Sequence, residues 1–195
     1  MAIVANFEYF ICLTFFLFVG YSEENLWEHK LSITCILVYN CKMTATGHAL
    51  VATILIAKFN NPYIGLPLAF ASHFVCDIIP HWDAGTHHAE KTKKRLFYEA
   101  SLDVIISVIV SILVYTYVFG QTNYLYLFTA IFLSQLPDWL TAPYFILNIK
   151  DPLVGWSKYV YKLQHAMNVR LDKPWGILTQ VGAIILLYLL LFRIF

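Results

Sequence analysis

Six ionisable residues, His48, His73, Asp77, Glu99, Asp103 and Asp138, lie within or at the edge of strongly apolar stretches. Titratable side chains are costly in such surroundings, and where they persist they mark a site that uses them. His73 and Asp77 are four residues apart, as are Asp77 and His81, and Glu99 and Asp103. That spacing puts both members of a pair on one face of a helix. Imidazole and carboxylate meeting from neighbouring helices are the ligands of a divalent cation, either zinc or the harder manganese and magnesium. Helical bundles build such centres from inward-facing histidines and carboxylates. The pattern predicts a metal held by His48, His73, Asp77 and Asp138. His81 and Asp83 are further candidate ligands, and Glu99 or Asp103 is the candidate general base. A structural polar network or a proton path is the competing reading of the same residues. His87 and His88, beside Thr86 and Glu90, read as a solvated loop, and His165 as a residue of a polar helix face.

The elements that must position these residues are spans. Of 195 residues, 59% are hydrophobic, 17% aromatic and only 13% charged, with a net charge of +1. Soluble domains carry about a quarter charged residues. This composition argues against an ordinary soluble enzyme, a disordered chain and a nucleic-acid binder. A bilayer span needs about 20 mostly apolar residues. Candidates are Ala2–Gly20, the short Thr44–Ala57, Pro62–Ile79, Ala100–Phe119, Tyr124–Leu140 and Pro174–Phe195, the last with Pro174 as a helix starter. Between them, Asp151–Leu171 reads as a basic amphipathic helix on a membrane surface, with Leu153, Trp156, Val160, Leu163 and Met167 on its apolar side. Trp82, Trp139, Trp156 and Trp175 read as an interfacial belt. The expected class is an all-α polytopic membrane protein. Its domains are an N-terminal segment 1–42, a two-hairpin core over 43–140, an amphipathic segment 141–173 and a C-terminal transmembrane helix over 174–195.

Nine of the 13 basic residues fall in two segments, 80–99 and 150–173. The bias of Lys and Arg toward the cytoplasm places both segments inside. On that orientation all six ionisable residues lie in the cytoplasmic half of the bilayer. His48, four residues into its helix, is roughly 6 Å deep. Segment 1–42 breaks this parity and lacks the layout of a signal peptide. It reads either as an extension upstream of a functional start at Met43, or as an extra helix plus a re-entrant piece. Cys12, Cys35, Cys41 and Cys76 show no CxxC pairing and read as small buried hydrophobes.

Two stretches repeat. Ile79-Pro80-His81-Trp82 and Leu136-Pro137-Asp138-Trp139 share the pattern aliphatic, Pro, His or Asp, Trp, 57 residues apart. Each is expected to close the second helix of a hairpin at the cytoplasmic boundary.

Thr46-Gly47-His48 at the start of a helix, the run Ser72-His73-Phe74-Val75-Cys76-Asp77 and Leu136-Pro137-Asp138 resemble elements of the LexA-regulated, membrane-bound metal-dependent hydrolases (YdjM-like). The resemblance covers Met43 to about Leu140. The motif order differs, and Leu140 stands where that family has a second acid. The resemblance implies a small helical membrane protein with a metal-dependent hydrolase site. No HExxH, GxSxG or Walker motif occurs. The expected activity is hydrolysis of a membrane-embedded or membrane-proximal ester, such as a lipid. Membrane lipids are the expected partners, and a bacterial inner or plasma membrane the expected location. Ion or proton transport, and a purely structural role, are the alternatives.

Overall fold

The computed structural model describes residues 43–82, 91–145, 155–167 and 173–194. Segment 1–42, with three of the cysteines, lies outside the described residues. So do Asp83, His87 and His88, and the side chain of His165. Every regular element described is a helix.

Local chemistry sets the helix boundaries. Helix α1 (Ala45–Lys58) starts where the Thr44 hydroxyl accepts from the Gly47 amide at 3.0 Å, satisfying a donor that has no partner within the helix. Helix α2 (Pro62–Ile78) starts with Asn61 as cap and Pro62 in the first turn, where a missing N–H costs nothing. It ends because Ile79 is extended, the conformation a following proline favours. Helix α3 (Lys93–Leu113) is capped by Thr92 and runs on as a π-helical turn over Val114–Val118. The turn that follows passes through Gly120 at φ 64°, a left-handed conformation open to glycine. Helix α4 (Tyr124–Phe145), the amphipathic α5 (Gly155–Met167) and α6 (Trp175–Leu189, with a π-helical end at Leu190–Ile194) complete the chain.

Two boundaries differ from those expected. Helix α3 starts at Lys93 and not at Ala100, because Thr92 supplies a cap ahead of the basic run. Helix α4 continues through Pro137 to Phe145 and does not stop at Leu140. The repeated tetrapeptides therefore adopt different conformations. Pro80 follows the end of α2, whereas Pro137 lies inside α4.

Helix α1 is buried on nearly all sides and packs against α2, α3, α4 and α6, as expected of a helix without a polar face. Its neighbours meet it through small side chains. Ala49, Ala52, Ala69 and Ala130 form a core with Ile56, Leu127 and Tyr115. At one end of the bundle, the Tyr126 hydroxyl donates to the carbonyls of Phe59 and Asn61 at 2.8 and 3.1 Å. It passes directly over Gly65, where a Cβ would overlap it. Lys58 donates to the Leu191 carbonyl at this same end. At the other end, the Met43 amide meets Asp77, the Ala45 amide meets Asp103, and His73 meets the Ser134 carbonyl. Successive helices of α1–α4 therefore run antiparallel, and the ionisable residues gather at one end.

Lys93–Val118 and Trp175–Ile194 are long and apolar enough to cross a membrane, and Ala45–Lys58 is a shorter apolar helix. Along the middle of α3, polar side chains face inward and several large apolar ones face outward. Asp103, Ser107 and Ser111 are buried, while Leu102, Ile105 and Ile109 are exposed.

Candidate metal centre

Three helices bring imidazole and carboxylate groups together. His48, in the first turn of α1, is stacked on His73 of α2, with ring centroids 4.1 Å apart. His48 Nε2 lies 3.3 Å from Asp77 Oδ1, and His73 Nε2 lies 3.4 Å from Asp77 Oδ2. From α4, Asp138 Oδ1 lies 3.5 Å from His73 Nε2. His48, His73 and Asp77 are completely buried. One ligand atom from each of His48, His73 and Asp138 lies within 4.8 Å of the others, so this group can hold a metal ion. Asp77 stands directly beside both histidines.

The tautomer of His73 follows from its other nitrogen. Nδ1 is 2.7 Å from the Ser134 carbonyl, which can only accept. Nδ1 therefore carries the proton, and Nε2 presents a lone pair to the cluster. An outer partner that orients a ligating imidazole in this way is the usual companion of a metal-bound histidine. His81 has the same arrangement, with Nδ1 donating to the Ile79 carbonyl. Burial holds the His81 imidazole below its ordinary pKa, against the opposing pull of the Ile79 carbonyl and the Asp77 charge.

Several of these atoms have no hydrogen bond. His48 Nδ1 and Nε2, Asp77 Oδ2 and His81 Nε2 are buried without a hydrogen-bond partner. Leaving such atoms unsatisfied costs about 1–3 kcal/mol each. The separations of 3.3, 3.4 and 3.5 Å exceed the usual hydrogen-bond length of about 2.7–3.0 Å. The ligand atoms of His48, His73 and Asp138, all within 4.8 Å of one another, could hold a divalent cation.

The remaining sequence candidates lie elsewhere. Asp103 is buried, but it turns to the start of α1. There it accepts from the Ala45 amide at 2.7 Å, the Thr46 amide at 3.2 Å and the Thr46 hydroxyl at 2.7 Å. Glu99 pairs with Lys91 at 2.7 Å and Arg95 at 2.8 Å. Neither carboxylate belongs to the group of ligand atoms formed by His48, His73 and Asp138. Asp83 lies outside the described residues.

One residue of the site escaped the sequence reading. Gln164 of α5 is fully buried, and its amide nitrogen lies 2.8 Å from His73 Nε2 and 3.0 Å from Asp138 Oδ1. A neutral amide leaves no signal in charge, spacing or composition. Helix α5 is seated by Ser157, whose hydroxyl donates to the Leu140 carbonyl at 2.7 Å. Its Trp156, Tyr159 and Leu163 point outward beside the exposed Lys158 and Lys162.

No family model, curated protein or solved structure matches this chain.

Proposed function

We propose that this chain is a multi-pass membrane hydrolase with a divalent metal centre near the cytoplasmic face, acting on an ester at or in the membrane. The observation that carries this reading is the group of ligand atoms from His48, His73 and Asp138, within 4.8 Å of one another and beside Asp77. His48 Nε2 and Asp77 Oδ2 are buried there without a hydrogen bond. The apolar exterior of α3, with its buried Asp103, Ser107 and Ser111, supports a bilayer as the surroundings. The outward Trp156, Tyr159 and Leu163 of α5 support a position at the interface. The short α1, about 21 Å long, then lies within the bundle and carries His48 below the surface.

A bound divalent cation supplies a water of lowered pKa and polarises the scissile carbonyl or phosphoryl group. Among the chain's own residues, we assign His48, His73 and Asp138 to holding it. Asp77 stands beside both imidazoles and supplies the negative charge next to them. With Asp103 engaged at the start of α1 and Glu99 in ion pairs, the proton acceptor is reassigned. His81 presents a buried, unbonded Nε2 from just beyond the end of α2 and is the residue we assign to that role.

Elemental analysis of the full chain, purified in detergent without chelators, tests this reading. About one equivalent of zinc, manganese or a similar metal is expected. Asp77→Asn should lower occupancy at least tenfold, on the order of the effect of a lost ligand partner. Metal-free wild type, or equal content in the variant, would sink the hydrolase reading. Proton flux through metal-free liposomes would point to a relay instead.

A further inference from the structure

The geometry points to Gln164 as a further ligand of this centre: we infer that α5 delivers its side-chain amide to the cation and that the amide oxygen, not the nitrogen, faces the loaded site. The inference rests on the metal-centre reading and extends it to an element outside α1–α4.

Gln164 forks onto two of the three residues of the group, His73 Nε2 at 2.8 Å and Asp138 Oδ1 at 3.0 Å. Both are acceptors there. His73 gives its only ring proton to Ser134, and a carboxylate oxygen has none to give. The amide must therefore turn its NH2 toward both. A cation draws on the same two lone pairs, and an amide NH2 has no lone pair to offer it. The nitrogen cannot keep its place once a cation is bound.

Two responses are open to the side chain, namely withdrawal with α5 or reversal of the amide. Withdrawal is opposed by the seating of α5. Ser157 donates to the Leu140 carbonyl at 2.7 Å and accepts from the Tyr144 amide at 3.3 Å, and Tyr161 packs on Tyr144 with ring centroids 5.3 Å apart. Reversal is a half-turn about the last bond, with two ends of nearly the same size exchanging places. It leaves the oxygen where the nitrogen stood, about 3 Å from His73 Nε2 and Asp138 Oδ1. Gln164 thus has one end suited to each state. The NH2 satisfies the group when it holds no cation, and the carbonyl oxygen ligates when it does.

The test is zinc(II) affinity of the metal-stripped full chain in detergent, read by competition with a chromophoric chelator. Gln164→Leu removes the ligand, and Gln164→Asn keeps the amide but withdraws it by one methylene. Each should bind zinc at least tenfold more weakly than wild type, on the order of a lost ligand-shell partner. Gln164→Glu retains an oxygen at the same reach and should bind at least as tightly as wild type. If the leucine variant does not accumulate, the asparagine and glutamate variants carry the comparison. Unchanged or tighter binding in the shortened variant overturns the inference while leaving the metal centre intact. Absence of zinc binding by wild type overturns both.

Discussion

Asp103 grips Thr46 through one carboxylate oxygen, which accepts from the Thr46 hydroxyl at 2.7 Å and from its amide at 3.2 Å. Thr46 stands two residues before His48, so a side chain of α3 sets the start of the helix that carries a candidate ligand. The other oxygen takes the Ala45 amide at 2.7 Å. These are first-turn N–H groups that the helix itself cannot satisfy, and a negative charge is favoured at that end. Asp103 is a positioning residue. Asp103→Ala should lower thermal stability in detergent, by about 1–3 kcal/mol for the orphaned donors. It should also weaken metal binding by disordering the first turn of α1. Asp103→Asn, which keeps one acceptor, should recover part of the stability. A general base would behave otherwise, since its asparagine variant would lose turnover with stability untouched.

Glu99 gives the matching control. Its partner Arg95 is 68% exposed at the side chain, while Lys91 is 13% exposed. A pair as exposed as Glu99–Arg95 contributes about 0–1 kcal/mol. Glu99→Gln should leave metal content unchanged and shift the unfolding temperature by no more than a few degrees. A large loss of bound metal in this variant would restore Glu99 to the site.

What was legible in the sequence, and what was not, divides along physical lines. His73 and Asp77 share a helix face by spacing alone, and counting residues from the helix ends puts His48 and Asp138 within two turns of the same boundary. A cap made across 57 residues, from Asp103 to Thr46, cannot be seen in either local sequence. The pairing of Glu99 and Asp103 at four residues therefore suggested a shared role. In the structure, one faces the start of α1 and the other faces a lysine and an arginine. Gln164 and the Ser134 carbonyl were invisible because neither carries charge. The tetrapeptide repeat was legible as letters only. Ile79 yields to the extended conformation before Pro80, while Leu136 stays helical before Pro137.

Metal removal should be felt in stability. A ligand that binds only the folded chain stabilises it by about 2.7 kcal/mol at a hundredfold excess over its Kd. Stripping the cation with a chelator should lower the unfolding temperature, and zinc should restore it. The sign with pH follows from the ligands. Imidazoles bind a cation only when deprotonated, so metal affinity falls as the pH drops and they take up protons. The gap in unfolding temperature between metal-loaded and stripped protein should be widest above neutrality and should narrow as the pH falls. A gap independent of pH would exclude histidine ligands.

Gly65 is a packing requirement at the opposite end of the bundle. A Cβ there would overlap the Tyr126 hydroxyl, which must pass over it to reach the carbonyls of Phe59 and Asn61. Gly65→Ala should therefore destabilise the chain, through a displaced Tyr126 and two carbonyls that lose a donor, by about 1–3 kcal/mol. Tyr126→Phe removes the overlapping oxygen, so the double variant should be less destabilised than the sum of the singles. Such coupling between touching residues reaches about 0.5–3 kcal/mol. Additive effects, measured by thermal unfolding of both singles and the double variant, would show that the two side chains do not meet.

The orientation in the membrane can be read from two exposed positions at opposite ends of one helix. Lys94 lies in the first turn of α3, and Thr122 lies in the turn after it; both are exposed. The basic residues Lys91, Lys93, Lys94 and Arg95 cluster at the first end, while the turn at Gly120–Asn123 carries no charge. Because Lys and Arg are retained on the cytoplasmic side, the first end and the imidazole cluster beside it should face inward. The experiment uses the full chain with its native cysteines replaced, carrying either Lys94→Cys or Thr122→Cys. A membrane-impermeant maleimide applied to intact cells should label the cysteine at 122 and should reach the one at 94 only after permeabilisation. The reverse pattern would put the candidate metal centre on the outer side and overturn the cytoplasmic assignment. Equal labelling of both before permeabilisation would mean that α3 does not cross the membrane at all.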